Sequence, residues 1–277
     1  MKAKRMILST LLLLLGIAFL SPIYIMIVNS FKNRSELYEN VLALPENFSF
    51  QYYVRAIEKM NFLTAFKNSL IITIVSVIFI VILSSMTAWM LARTDNKISK
   101  IIFMAFISTM LIPFQTIMMP LMQWMNQLMT VTGIPFLNTR GGLIFMHIGF
   151  NSSMAVFLYH GFVKTIPKSL EEAATIDGAS KFGVFWRIVF PILKPITVTV
   201  MILNVISIWN DYLLPSLVLK DKGLRTIPLS TFYFFGEFTI EWNMAMAGLV
   251  LTIIPVVIFY ALAQKHIIKG IAEGAVK

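Results

Sequence analysis

The sequence predicts an all-α integral membrane protein with six transmembrane helices. Of its 277 residues, 58% are hydrophobic and 13% are charged, whereas soluble domains carry about 25% charged residues. This composition excludes a soluble globular enzyme. The apolar residues also form long stretches without Asp, Glu, Lys or Arg, and a helix of about 20 such residues crosses a bilayer. The basic residues, finally, favour the segments that would share one side of the membrane.

The charge-free stretches locate the helices in chain order. Residues 1–31 are expected to form an uncleaved first helix, because the apolar part at 6–31 exceeds the roughly 7–15 residues of a signal peptide and no A-x-A pattern follows. An extracytoplasmic loop is expected at 32–67, a core with helices two to six at 68–266, and a cytoplasmic tail at 267–277. The helices of this core are predicted at 68–92, 101–123, 141–163, 192–215 and 242–264.

The charge-free stretch 101–139 is too long for one helix. Pro113, Pro120 and the Gly133-Ile-Pro135 turn divide it, because proline and glycine interrupt helical patterns. We expect one helix over 101–123, followed by an extracytoplasmic excursion that leads back into helix four.

The positions of lysine and arginine predict the orientation. With the N-terminus inside, the inner segments hold 14 of the 23 basic residues but only five of the 13 acidic ones. The inner basic residues are Lys2, Lys4, Arg5, Arg93, Lys97, Lys100, Lys164, Lys168, Lys181, Arg187, Lys194, Lys265, Lys269 and Lys277. Because cytoplasmic loops are enriched in Lys and Arg, both termini are predicted to be cytoplasmic, and the protein is predicted to be a multi-pass component of the cytoplasmic membrane.

The longest inner loop, at 164–194, carries the most information. Ser169 and Glu172 have the spacing of a capping box, and Gly178 can adopt the positive φ that ends many helices, so a short helix is predicted at 169–177. A second helix is predicted to begin near Ser180, with an apolar face. Two interpretations remain equal on pattern alone: a knob that docks into a cleft on a soluble partner, or an amphipathic linker lying on lipid headgroups.

This loop resembles the EAA motif of ABC-importer permeases. The matching residues are Glu172, Ala173, Ala174, Asp177, Gly178, Ala179, Phe185, Ile188, Pro191 and Pro195. The resemblance implies the type I ABC importer permease fold. It also implies that the loop couples the chain to a cytoplasmic ATPase, with Glu172 and Gly178 at the positions of the motif's acidic residue and glycine.

Other stretches resemble the smaller permease subunit of maltose-type and multiple-sugar importers. They are Asn68-Ser69-Leu70, the segment from Ala88 to Arg93, Trp209-Asn210-Asp211, and Gly270 with the final Gly274-Ala-Val-Lys277. The resemblance implies a sugar or oligosaccharide as the transported solute. It also implies a second homologous permease, two ATPase subunits, an extracytoplasmic sugar-binding protein and the lipid bilayer as partners, with no nucleic acid.

The chain contains no G-x-x-x-x-G-K-[ST] phosphate-binding loop. We therefore expect no cofactor on this chain and no catalytic residue, with ATP and Mg²⁺ bound by the partner ATPase. Cysteine is absent and the three histidines are scattered at 147, 160 and 266, which argues against a metal site.

Trp209, Asn210 and Asp211 are candidates for an outer gate near the end of helix five. The simpler interpretation of Asp211 is an interfacial carboxylate bound by local amides or water. Two alternatives to a sugar importer stay open: an ion-coupled secondary transporter, which usually carries charges within its spans and repeated halves, and an ABC permease for another solute. An integral-membrane enzyme is disfavoured, since no nucleophile–base pair or metal cluster is visible.

Overall fold

The computed structural model describes residues 2–234 and 241–275, and these residues form helices and connecting segments without a β-strand. The α-helices, numbered α1 to α14, are Lys2–Asn29, Arg34–Glu39, Gln51–Lys59, Phe62–Arg93, Lys97–Met110, Phe114–Thr132, Arg140–Val163, Lys168–Ile176, Lys181–Val184, Phe190–Ile192, Lys194–Trp209, Leu213–Val218, Ile227–Thr231 and Trp242–Ala275. A π-helical turn lies at Phe185–Val189, and 3-10 turns lie at Lys222–Leu224 and Phe232–Phe234.

Four helices of the described chain are long and apolar enough to cross a membrane without a break. They are Arg5–Asn29 within α1, Phe62–Arg93, Arg140–Val163 and Trp242–Gln264 within α14. Two further pairs of helices, Lys97–Met110 with Phe114–Thr132 and Lys181–Ile192 with Lys194–Trp209, are bent by 108° and 77°. The predicted number of six is reached if each bent pair is one span.

The prediction of one continuous helix over 101–123 is wrong. α5 ends at Met110, and α6 begins at Phe114 with Pro113 as its N-cap in an extended conformation. Proline lacks an N–H and disfavours helical geometry at the residue before it, so the helix stops before Pro113 and the chain turns. The turn predicted at Gly133 is confirmed, because this residue has a φ of +71° and ends α6.

Three other predicted boundaries also differ. The second span begins at Phe62 rather than 68, and the predicted loop 32–67 contains two helices, α2 and α3. The fifth span does not run unbroken over 192–215, because its helix ends at Trp209 and Pro215 lies in the separate α12. The backbone of the predicted tail is helical as far as Ala275, as part of α14.

The chain divides into two compact units, of which the first comprises the residues up to Ala65 and Ile227–Ile258. Its buried apolar cluster is formed by Tyr52, Ala56, Met60, Phe234, Met244, Ala245 and Ala247. Gly248 allows this close packing, because a Cβ atom there would lie 2.7 Å from the Phe234 ring. The segment after α1 is fixed to that helix by bonds such as the one from the Tyr24 hydroxyl to the Leu42 carbonyl (2.9 Å).

The second unit comprises Phe66–Thr226 and the chain from Phe259 onward. Its helices approach closely along α4, where Ser76, Ser84, Ser85 and Ala88 are fully buried, as small residues commonly are where membrane helices pack. Hydroxyl groups link other helices: Thr109 with Ser153 joins α5 to α7 (2.7 Å), and Tyr159 with Thr197 joins α7 to α11 (3.1 Å). This framework positions the loop 164–194.

Candidate functional site

The loop 164–194 contains α8, a glycine turn and α9, as the sequence predicts. α8 spans Lys168–Ile176 and ends in a Schellman motif: the Gly178 amide donates to the Thr175 carbonyl and the Ala179 amide to the Ala174 carbonyl, both at 3.0 Å. Gly178 has a φ of +84°, a left-handed conformation that costs other residues about 1–2 kcal/mol. Open space surrounds the position where its Cβ would lie. Backbone conformation, not crowding within the chain, therefore requires glycine here.

The beginning of α8 differs from the prediction. The helix starts at Lys168 with Pro167 as its N-cap, and no side chain caps it. Ser169 thus lies inside the helix rather than at its N-cap, so the predicted capping box with Glu172 is not formed. The predicted start of the next helix is confirmed: Ser180 is the N-cap of α9, and its hydroxyl accepts a bond from the Gly183 amide (3.2 Å).

The neighbouring carboxylate, Glu171, anchors α8 to the end of α4. Its Oε1 accepts from Arg93 Nε at 2.8 Å and lies 2.7 Å from Arg93 Nη2, while its Oε2 accepts from the Trp89 indole N–H at 3.0 Å. Arg93 Nη2 also donates to the carbonyl of Ile166 at 2.9 Å, just before α8. The side chains of Arg93 and Glu171 are only 15% and 13% exposed. Each oxygen of this carboxylate is therefore bound by a hydrogen-bond donor, either the charged guanidinium of Arg93 or the indole of Trp89.

The same cluster continues into the segment after α9. Phe185 is fully buried, and its ring lies 5.5 Å from the ring of Trp89. It begins the π-helical turn, in which the Phe190 amide donates to the Phe185 carbonyl five residues earlier. The aromatic side chain of Trp186 packs against Phe182 and Phe190. The predicted single apolar face is only partly formed, since Phe182 is exposed while Phe185 and Val189 are buried.

The remaining motif residues lie on the surface of α8, the glycine turn, α9 and the segment that follows; α8, the turn and α9 (168–184) are called the knob here. Glu172, Ala173, Asp177 and Gly178 are exposed, Ala174, Ala179 and Ile188 are half-buried, and Pro191 is exposed in α10. Next to them Ile176 is 86% exposed. An open groove of about 600 Å³ runs between α8 and the end of α4. The knob thus has a surface of small, apolar and acidic residues, whereas the Glu171 side chain is turned toward α4 and holds the helix.

The other candidate residues lie after α11. Asp211 Oδ1 accepts from the amides of Leu213 and Leu214 (2.9 and 3.3 Å) at the start of α12, and its Oδ2 lies 4.0 Å from His147 Nδ1. Local amides therefore bind Asp211, as the simpler interpretation expected. Asn210 is exposed and bonds only the Ile206 carbonyl of its own helix. Trp209 is buried against Phe66, with ring centroids 5.8 Å apart.

The role of Asn68 in joining three parts of the chain was not predicted from the sequence. The Asn68 side-chain amide donates to the carbonyls of Gly223 and Arg225, both at 3.0 Å, and its oxygen accepts from Arg140 Nε at 2.8 Å. One buried side chain thus ties α4 to the start of α7 and to the loop after α12. Among the described residues no group of three or more His, Asp or Glu side chains could hold a metal ion.

Comparisons with known proteins identify the family of this chain. Residues 80–273 match the family model described as binding-protein-dependent transport system inner membrane component. The chain is 48% identical over 274 residues to the probable starch degradation products transport system permease protein AmyC of Thermoanaerobacterium thermosulfurigenes, covering 99% of this chain and 97% of that protein. It is 36% identical over 278 residues to the melibiose/raffinose/stachyose import permease protein MelC of Bacillus subtilis, covering 100% and 98%.

A solved structure shares the fold. A crystal structure of a bacterial ABC transporter involved in the import of the acidic polysaccharide alginate superposes with a TM-score of 0.79 at 22% identity, covering 95% of this chain and 96% of that one. The family match covers most of the sequence and both named relatives align over nearly their full length. The chain therefore belongs to the inner membrane components of binding-protein-dependent transport systems.

Proposed function

We propose that this chain is a permease subunit of an ATP-driven importer that carries a sugar or oligosaccharide across the cytoplasmic membrane. The relatives support the solute class, since AmyC, MelC and the multiple sugar-binding transport system permease protein MsmG of Streptococcus mutans are all named for saccharide transport. The family description supports an external binding protein. Within one family of binding-protein-dependent permeases, these names favour a sugar over another solute, and the family itself disfavours an ion-coupled carrier.

The complete importer would contain this chain, a second homologous permease, two ATPase subunits and the binding protein. The distribution of basic residues supports cytoplasmic termini and a cytoplasmic position for the loop 164–194. In that orientation the knob faces the compartment that holds ATP. ATP and Mg²⁺ would act on the partner ATPase, and this chain would respond to the movement of that partner.

The observation that carries the proposal is the different environment of two adjacent carboxylates, one exposed and one bonded to α4. Glu172 is exposed next to Ala173 and Gly178, where a groove on the ATPase could receive the knob. Glu171 is bonded to Trp89 and Arg93 at the end of α4. A displacement of the knob is therefore passed to a transmembrane helix through three short contacts, so that ATPase closure could favour one arrangement of the permease over another.

At the opposite end of α11, Trp209, Asn210 and Asp211 are proposed to belong to the outer gate. Asn210 is the exposed member and could contact the binding protein or the sugar. Asp211 would act by holding the start of α12 in place, since its carboxylate binds the amides there. Trp209 would support the gate from behind by packing on Phe66.

Two measurements test the proposal. The tagged chain is extracted gently from native membranes and its stoichiometric companions are identified by mass spectrometry; we expect a second permease and an ATPase. In cells, Gly178→Val should abolish ATP-dependent sugar uptake at an unchanged membrane level, because a β-branched residue opposes the positive φ of the turn. Gly161→Ala, in a helix with open space around its Cβ, is the matched control and should keep uptake.

Recovery of the chain alone, together with sugar uptake that survives ATP depletion, would overturn the importer assignment. Wild-type uptake by the Gly178→Val protein would refute the role of the turn in coupling while leaving the importer assignment intact.

A further inference from the structure

A second pocket lies near the end of α4 and shares Thr94 with the groove beside the knob. It has a volume of about 540 Å³ and is formed by the α4–α5 connection, the first half of α5, the end of α7 and the first residue of α8. Its lining residues are Leu91, Ala92, Thr94, Asp95, Ser99, Lys100, Phe103, Met104, His160, Lys164 and Lys168. The pocket is not part of the motif surface described above.

The rim of this pocket is positively charged. Lys100 forms an ion pair with Asp95 at 2.8 Å, whereas Lys164 and Lys168 are exposed and form no ion pair within the described part of the chain. A hydrogen bond and the charge of Lys100, with the more distant charges of Lys168 and Lys164, lower the pKa of Asp95. Asp95 therefore stays ionised and its charge is balanced by Lys100. The ammonium groups of Lys164, directly after α7, and of Lys168, the first residue of α8, remain for an anion.

Apolar side chains form another part of the lining: Leu91, Ala92, Phe103 and Met104. Phe103 stacks on His160 inside the pocket. The outer side of α5 exposes Ile98, Ile101 and Met104 at 67%, 68% and 62%, as expected of a helix that faces lipid. A small water-soluble anion needs no such lining, but a phospholipid has both a phosphate for the rim and acyl chains for this side. Basic pockets between helices on the cytoplasmic side are known to bind anionic lipid headgroups.

We propose that this pocket binds the headgroup of an anionic phospholipid, with Lys164 and Lys168 on the phosphate and the acyl chains along α5. Lys168 is the first residue of α8, so the lipid would connect the lipid-facing α5 with the start of the knob. The inference rests on the proposed cytoplasmic position of this end of the chain, and it does not depend on which solute is transported.

The test counts bound lipid by native mass spectrometry. The tagged chain, purified with its partner subunits, is titrated with phosphatidylglycerol or with phosphatidylcholine of the same acyl chains. We expect preferential retention of phosphatidylglycerol, and removal of both charges in Lys164→Gln/Lys168→Gln should weaken its binding about 30-fold, or about 2 kcal/mol at about 1 kcal/mol per lysine. The control Lys181→Gln/Lys194→Gln removes two exposed lysines of the same loop outside the pocket and should bind like wild type.

Three results would overturn the proposal. The first is equal retention of the two lipids by the wild-type protein. The second is an equal loss of lipid in the control variant, which would indicate a general charge effect. The third is displacement of phosphatidylglycerol by millimolar inorganic phosphate, which would indicate a site for free anions. The thermal midpoint of each variant in phosphatidylcholine shows whether it is folded; if Lys164→Gln/Lys168→Gln fails to fold, the single variants Lys164→Gln and Lys168→Gln replace it, and unchanged lipid retention by both refutes the proposal.

Discussion

Replacing Glu171 by glutamine is expected to weaken the attachment of α8 to α4, although the two side chains have the same number and arrangement of heavy atoms. The carboxylate accepts hydrogen bonds on both oxygens, from Trp89 on Oε2 and from Arg93 on Oε1. A glutamine has one carbonyl oxygen and one NH₂ group. In either orientation the NH₂ group faces a donor, and the guanidinium of Arg93 loses its counter-charge.

The magnitude follows from the burial of the pair. Breaking a fully buried ion pair by removing one charge costs about 3–5 kcal/mol, while a hydrogen bond to a charged group contributes about 1.5–3 kcal/mol. The side chains of Arg93 and Glu171 are 15% and 13% exposed, so partial access of water reduces the first figure. We expect the anchoring of α8 to weaken by about 2 kcal/mol.

Hydrogen exchange of the α8 backbone measures this change directly, because local opening exposes the amides of that helix. A loss of about 2 kcal/mol increases the exchange rate of α8 about 30-fold. Glu172→Gln is the matched control: it is the adjacent residue, undergoes the same substitution and is exposed, so exchange should stay within about twofold, as for most surface substitutions. Equal exchange in the two variants would show that Glu171 does not anchor the knob.

Three further predictions concern the other positions described above. Asn68→Ala should weaken the loop after α12 by about 2 kcal/mol, seen as faster amide exchange at 220–226, because the substitution removes the two hydrogen bonds that hold this loop; the same substitution at the exposed Asn210 should leave that exchange unchanged. Asp211→Ala should destabilise the start of α12 by about 1–2 kcal/mol, whereas Asp211→Asn, which can still accept from the amides, should retain most of the protection at 213–218. Gly178→Ala should lower the free energy of unfolding by about 1 kcal/mol and Gly161→Ala should raise it by about 0.5–1 kcal/mol; shifts of the same sign in denaturation midpoints would contradict the backbone argument.

The features that depend on local chemistry could be predicted from the sequence. Gly178 ends α8 and Ser180 begins α9 as expected, because one needs a positive φ and the other a side-chain oxygen near the first amides. The long charge-free stretches likewise coincide with most of each of the four unbroken candidate spans. Each of these features is decided by residues within a few positions of one another.

Some of the features that were missed depend on distant residues. Glu171 and Glu172 are indistinguishable as sequence letters, and only the position of Trp89 and Arg93, about 80 residues earlier, makes one of them the anchor. The break before Pro113 had a local signal, since proline disfavours helix at the preceding residue. The 108° bend was not predicted, because a proline indicates where a helix stops but not the direction in which the chain continues.

The π-helical turn at Phe185–Val189 accommodates an extra residue in the segment that leads from α9 to α11. Each residue of an α-helix advances the direction of the side chain by about 100°, and the turn accommodates one more residue than an α-helical turn before Phe190 bonds back to Phe185. In a regular α-helix an extra residue would rotate everything beyond it by about 100°, whereas the wider turn absorbs that residue locally. The segment is therefore one residue longer than a regular helix of the same rise, while the direction in which it carries α8 and the glycine turn is kept.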